Sequence, residues 1–130
     1  MIKKVMHITR FSLGFIYLVA GLNGYLVIFN FEPFITTSPE AMALFEFDYL
    51  LIAEKSLEII CGILLLFNLF VPLALAILSP IVFNIFLLHL FLDQSLLLLA
   101  VILVIAHGYM MFYYRNNFKS ILEKKPIPSR

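Results

Sequence analysis

Long runs without a charged residue alternate with short polar clusters along this chain. The uncharged runs are Phe11 to Phe31, Ile59 to Leu92 and Ser95 to Tyr114. Each is continuously apolar and lacks the period-two alternation of a barrel strand, so helices are predicted. At about 1.5 Å per residue the first run covers roughly 30 Å, the thickness of one hydrocarbon core. The second run is too long for one helix and has to fold back. Its break is predicted at Asn68-Leu69-Phe70-Val71-Pro72, because proline suits the first turn of a new helix and disfavours helix in the residue before it. The predicted spans are about 9–31, 48–70, 72–92 and 95–115, with Asp93 or Ser95 capping the last. The fold class that follows is all-α, a four-helix transmembrane bundle formed by residues 1–130 as one domain, without internal repeat or linker.

Charge adds direction to this outline. Lys3, Lys4 and Arg10 precede the first span, and Arg115, Lys119, Lys124, Lys125 and Arg130 follow the last. The loop after the first span holds Glu32, Glu40, Glu46 and Asp48 without Lys or Arg, and the short third loop holds Asp93. The positive-inside rule then puts both termini in the cytoplasm, which requires an even number of spans. Phe31, Phe34, Phe45, Phe47 and Tyr49 are the predicted outer aromatic belt, and Phe112, Tyr113 and Tyr114 the inner one. The basic start also resembles a signal peptide, but its apolar stretch is long and no clean Ala-x-Ala site follows, so a retained first span is expected.

Composition excludes an ordinary soluble domain. The chain is 63% hydrophobic and 13% charged, with a mean hydropathy of +1.05, too few polar residues to cover a globular surface. A net charge of +1 offers no basic face to nucleic acid. Cys61 is the single cysteine, which excludes an internal disulfide or dithiol pair and reads as a small core residue. In the first outer loop, Ser38-Pro39-Glu40 is a helix-start signal, and Ala41, Met42, Leu44 and Phe45 fit a short interfacial helix. The tail Pro126-Ile127-Pro128-Ser129-Arg130 reads as loose.

Candidate chemistry lies where a bilayer should reject charge. Glu54, Lys55 and Glu58 share one helical arc, and burial of such groups costs roughly 2.5–3.5 kcal/mol each on insertion scales. They are therefore expected to face protein or water, with Lys55 between the two carboxylates. Helical rise puts Asn23, Glu54, Lys55, Glu58, Asn84, His89 and Asp93 in the outer half of the membrane, while His107 falls slightly inward of the midplane. These seven residues are the candidate ligand-binding pocket. Three readings of them remain open: hydrogen-bonded glue between helices, a small-ligand or quinone-like pocket, and a proton or ion path. His89 and Asp93 supply only two ligands, so no metal site is expected. Ala20 and Gly24 form a small-xxx-small pair suited to close helix contact, and His107-Gly108 reads as a packing feature.

Several segments together resemble one family. Arg10-Phe11-Ser12-Leu13-Gly14, Gly21-Leu22-Asn23-Gly24, Glu54-Lys55-x-x-Glu58-x-x-x-Gly62, Val71-Pro72-Leu73-Ala74-Leu75, Pro80, Asn84, His89 and Leu92-Asp93 resemble the DoxX-like family of small bacterial membrane proteins over about residues 5 to 118. The resemblance implies a four-helix transmembrane bundle in the plasma (inner) membrane. It also implies a link to membrane redox complexes such as a thiosulfate:quinone oxidoreductase, with quinone as a cofactor. Distant relatives of similar architecture look like chaperones or receptors for membrane partners. The absence of a cysteine pair departs from thiol exchange, and no residue here can itself carry electrons. The favoured expectation is a binding or accessory subunit for a small amphipathic ligand or a membrane protein partner. The alternative is a quinone-interacting subunit of a membrane oxidoreductase.

Overall fold

The computed structural model describes residues 1–36, 38–43, 46–125 and 127–128, the side chains of Glu40 and Ala41 excepted, and no strand occurs among them. The elements are α1 (Ile2–Ile28), α2 (Pro39–Ala43), α3 (Asp48–Leu66), α4 (Val71–Phe91), a 3₁₀ turn (Gln94–Leu96) leading into α5 (Leu97–Tyr113), α6 (Arg115–Phe118) and a last 3₁₀ turn (Lys119–Leu122). Expectations that fell on Leu44, Phe45, Pro126, Ser129 and Arg130, and on the side chains of Glu40 and Ala41, lie outside the described residues. The long helices pack as a ring of neighbours, α1 on α3, α3 on α4, α4 on α5 and α5 on α1. Leu13, Tyr17, Cys61, Leu65, Leu75, Leu78 and Met110 fill the centre. Outward faces carry exposed Phe11, Phe15, Ile60, Phe83, Leu98 and Ile105, a surface suited to hydrocarbon rather than water.

α1, α4 and the continuous helical stretch Gln94–Tyr113 are long and apolar enough to cross a membrane. α3 differs in composition, since Asp48, Glu54, Lys55 and Glu58 interrupt its apolar sequence. With 19 residues it is still roughly 28 Å long.

Helix ends follow from local chemistry. Both α1 and α3 stop at Phe-Asn-hydrophobic triplets. Asn30 (φ 61°) and Asn68 (φ 57°) adopt the left-handed conformation, which asparagine tolerates better than most residues. The amides beyond them turn back onto the last helical turn, with Phe31 N to Leu26 O at 2.8 Å and Leu69 N to Leu64 O at 2.9 Å. This paired pattern satisfies carbonyls that a helix end otherwise leaves open. Pro72 lies in the first turn of α4, so the predicted break between the second and third apolar segments stands. Pro39 opens α2, and Asp93 caps the Gln94–Leu96 turn by accepting from Ser95 N at 3.1 Å.

Several boundaries need correction. α1 begins at Ile2, well before the predicted 9, and ends at Ile28 rather than 31. Lys and Arg are good helix formers, so the helix runs on past the apolar limit into the basic segment. α3 ends at Leu66 rather than 70, because the turn through Asn68 and Phe70 (φ 48°) needs residues of its own. The closest helix approach also differs from the predicted Ala20 and Gly24 pair. Gly14, Gly21 and Gly24 form the seam of α1 against α3. A β-carbon on Gly14 would lie 2.9 Å from the Gly62 carbonyl oxygen, and one on Gly62 would lie 2.8 Å from Leu18 N. Ala20 lines a cavity instead.

Candidate functional site

The glycine seam positions the charged cluster. Gly21 and Gly24 leave room for α3 to press its Lys55 turn onto α1. The aliphatic stem of Lys55 fills the space beside Gly24, and the Lys55 carbonyl oxygen would lie 2.9 Å from a β-carbon on Gly21. The ammonium group then falls between two carboxylates one turn apart. Lys55 Nζ donates to Glu58 Oε2 at 3.2 Å and Oε1 at 3.4 Å, and lies 3.9 Å from Glu54 Oε1. Glu58 is fully buried, whereas the side chains of Glu54 and Lys55 retain 16% and 17% exposure. Burial of a paired charge is tolerable only where its partner has good geometry, which Glu58 finds in Lys55.

These three residues form one wall of a partly open cavity of about 200 Å³, and Asn23, Asn84, His89 and Asp93 also line it. The remaining lining is mostly apolar, with Ile16, Leu51, Ile85, Leu88, Leu99 and Leu103 among the contributors. The seven predicted residues therefore come together, from α1, α3, α4 and the turn that follows α4. The cavity lies at the end of the helices opposite the chain termini. At that other end Tyr114 Oη reaches Met6 Sδ at 3.9 Å.

The loop between α1 and α3 covers part of the opening, with Ile35, Thr36, Ser38 and Met42 in the lining. Asn23 holds it at Ile35, and Asp93 holds it through a hydrogen bond from the Ser38 side chain. Asn23 Nδ2 donates to Ile35 O at 3.1 Å while Ile35 N donates to Asn23 Oδ1 at 2.8 Å, a reciprocal pair like one rung of a sheet. Asp93 Oδ1 accepts from Ser95 Oγ at 2.6 Å and from Ser95 N at 3.1 Å. Hydrogen bonds from the Ser95 and Ser38 side chains, with the Ser95 amide, hold the Asp93 carboxyl below the ordinary carboxylate range. His89 does not pair with that carboxylate. Its Nδ1 donates to the Asp93 backbone carbonyl at 2.9 Å, which closes the end of α4 and leaves Nε2 without a partner among the described residues.

Two buried polar arrangements went unread in the sequence. Arg10, counted among the basic residues of the N-terminus, is buried and donates through Nη1 to the Leu65 and Leu66 carbonyls, the latter at 3.2 Å. It is a cation on the C-terminal end of α3, where open carbonyls and the helix dipole favour it. His107 is a hydrogen-bond hub rather than a packing feature. Tyr17 Oη donates to His107 Nδ1 at 3.1 Å, and His107 Nε2 donates to the Leu75 carbonyl at 3.1 Å, with Ser79 Oγ at 3.2 Å. Ser79 Oγ also bonds Leu75 O at 2.7 Å, so the Leu75 carbonyl accepts from both side chains. Gly108 meets nothing within 4 Å of a built β-carbon, so it makes no close helix contact. A sequence signal existed for both sites. Arg10, Gly14, Tyr17, Gly21 and Gly24 recur at alternating spacings of four and three, one stripe of α1 that is buried throughout.

Among the described residues no three His, Cys, Asp or Glu side chains gather as a metal-binding set. Three helical stretches able to cross a membrane, an outer surface of exposed large apolar side chains and charge held inside define an all-helical membrane protein. Comparison with protein-family models, curated proteins and solved structures gave no match.

Proposed function

We propose that this protein is a DoxX-like inner-membrane protein of bacteria that acts as a binding or accessory subunit for a small amphipathic ligand. In this reading all four long helices cross the membrane as a bundle, both termini are cytoplasmic, and the cavity opens in the outer half. The observation that carries it is the convergence of Asn23, Glu54, Lys55, Glu58, Asn84, His89 and Asp93 on one cavity with apolar walls. A polar end inside an apolar enclosure is the arrangement that orients an amphiphile, with few polar groups fixing the head and apolar surface taking the chain. Glue between helices would use up its polar groups on one another. Here Asn84 makes no hydrogen bond within the described protein and Glu54 has only a distant ion pair. The basic ends and the acidic first loop support the orientation.

The test is mass spectrometry of small molecules released from gently purified protein, compared with an Ala20→Phe variant whose ring fills the cavity. An amphipathic molecule present with the native chain and lost from the variant supports the reading. A quinone in that fraction, together with a redox partner, would move it to the oxidoreductase alternative. An identical extract from both proteins would overturn it. Topology is tested separately. Cysteines at Glu32 and Lys124 should label from opposite sides of the membrane, and labelling of both from one side would rule out four spans.

A further inference from the structure

The hydrogen-bonding capacity left open in the cavity names a class of ligand head. Lys55 is already committed, with its ammonium on both oxygens of buried Glu58. Asn23 uses one N–H and one oxygen lone pair of its amide on the Ile35 backbone and keeps its second N–H. Asp93 is taken up by Ser95 and Ser38. Three further groups keep free capacity. Glu54 receives no hydrogen bond among the described residues and is beyond hydrogen-bond reach of Lys55 at 3.9 Å. His89 keeps Nε2 without a partner among the described residues, its Nδ1 being turned to the Asp93 carbonyl. Asn84 has its whole amide free. Of these three, Glu54 is the carboxylate left without a donor, and Asn84 can both accept and donate.

Charge points the same way. Among the described residues lining the cavity, three carboxylates, Glu54, Glu58 and Asp93, face one lysine. A carboxylate among apolar walls without a donor is costly, so the occupant that relieves this wall brings N–H groups and positive charge. A quinone carbonyl or a carboxylate brings only acceptors and would leave Glu54 without a donor. The volume limits the fit as well. About 200 Å³ is the room of roughly six or seven waters, enough for a small head and the first carbons of a chain. The cavity is not closed, so a longer chain can leave through the opening.

We infer that the cavity selects amphiphiles with a protonated amine head, with Glu54 as the ionic partner and Asn84 and His89 Nε2 as the remaining hydrogen-bond partners. This rests on the reading of the cavity as an amphiphile site and adds the chemistry of the head. A committed lysine and an uncommitted glutamate one residue apart give the site its preference.

The experiment uses native mass spectrometry of the full chain in a nonionic detergent, with dodecylamine, dodecanol and dodecanoate as probes of matched chain length. Dodecylamine should bind at least about tenfold more tightly than the other two, a difference of about 1.4 kcal/mol. Glu54→Gln should bring dodecylamine down to the level of dodecanol and leave dodecanol unchanged. Ala20→Phe should abolish all three, and Ala20→Leu is the milder substitute if the first fails to fold. If Glu54→Gln leaves dodecylamine unaffected, or dodecanoate binds as well as the amine, head selectivity is overturned while chain binding lost in Ala20→Phe upholds the cavity. If no probe shows binding that Ala20→Phe or Ala20→Leu removes, the amphiphile site itself is overturned.

Discussion

The stem of Lys55 occupies the space that a β-carbon on Gly24 would need. The glycine on α1 and the lysine on α3 are therefore one device. The missing side chain lets a long cationic one lie flat against its neighbour and deliver its ammonium to Glu58. Gly24→Ala should push Lys55 off this path and weaken the ion pair, at a cost of about 1–3 kcal/mol, the range for overpacking a filled site. Thermal unfolding in detergent measures it. An unchanged midpoint would mean that Lys55 has another equally good path.

The seam further along α1 should be less forgiving. At Gly14 and Gly62 the nearest atoms to an added β-carbon include backbone of the facing helix, at 2.8 to 2.9 Å. Backbone cannot swing aside as a flexible side chain can, so Gly14→Ala and Gly62→Ala should each lower the unfolding midpoint more than Gly24→Ala does. Gly108→Ala is the control. Open space surrounds it, and alanine in a helix interior is favoured over glycine by roughly 0.5–1 kcal/mol, so this change should leave the midpoint unchanged or raise it.

How far the sequence carries can be judged from these same residues. Charge within an apolar span is conspicuous because the bilayer penalises it, so Glu54, Lys55 and Glu58 were legible, and helical rise aligned Asn23, Asn84 and His89 with them. Proline and the change in composition marked the turn before α4. Partners on other helices were not legible, because hydropathy reports how much a residue dislikes lipid and not which group satisfies it. Arg10 stands beside Lys3 and Lys4 and reads as one more basic residue, although it reaches the end of α3. Tyr17 and His107 are 90 positions apart and nothing local links them. Asn23 was legible as a polar residue in the right layer, but its bonds to Ile35 depend on a loop path that periodicity does not describe.

The Tyr17 and His107 pair gives a prediction within the core. Tyr17→Phe removes the donor to His107 Nδ1 and leaves a buried ring nitrogen without a partner, which should cost about 1–3 kcal/mol. Ser79→Ala should cost less, because His107 Nε2 keeps the Leu75 carbonyl. Denaturant unfolding of the two variants compares them, and a larger loss in Ser79→Ala would show that the hydroxyl, and not the phenol, holds the ring.

Acid should release the Asp93 fastener. Its carboxyl lies below the ordinary 3.8 because the Ser95 and Ser38 hydroxyls and the Ser95 amide hydrogen-bond the charged form. The sign follows directly: this contribution is fully present above 3.8 and is lost as pH falls through the lower folded value. The Ser95 amide proton, bonded to Asp93 Oδ1, reports the ionisation in an NMR titration. Its midpoint should fall below 3.8, and Asp93→Ala should abolish the step. A midpoint at or above 3.8 would show that the fastener is not formed in solution.

The ion cluster itself separates its three members by burial. Glu58 is fully buried and both its oxygens face Lys55, whereas Glu54 is partly exposed and farther from the ammonium. Removing the cation strands Glu58 in the interior, so Lys55→Met should cost about 3–5 kcal/mol, the range for breaking a buried pair on one side. Glu54→Gln leaves the close pair intact and should cost under about 1 kcal/mol. Glu58→Gln should fall between them, because Lys55 can turn to Glu54 while the glutamine keeps the volume and a hydrogen bond. A variant with Gln, Met and Gln at the three positions should regain much of the loss in Lys55→Met, since neutral residues of similar size carry no burial penalty for charge. Unfolding midpoints in one detergent order the four proteins. If Lys55→Met is no more harmful than Glu54→Gln, the cluster is hydrated and the pairing contributes little. If the neutral variant folds well but no longer retains an amphiphile that the native chain carries, the charges serve binding rather than the packing of α1 on α3.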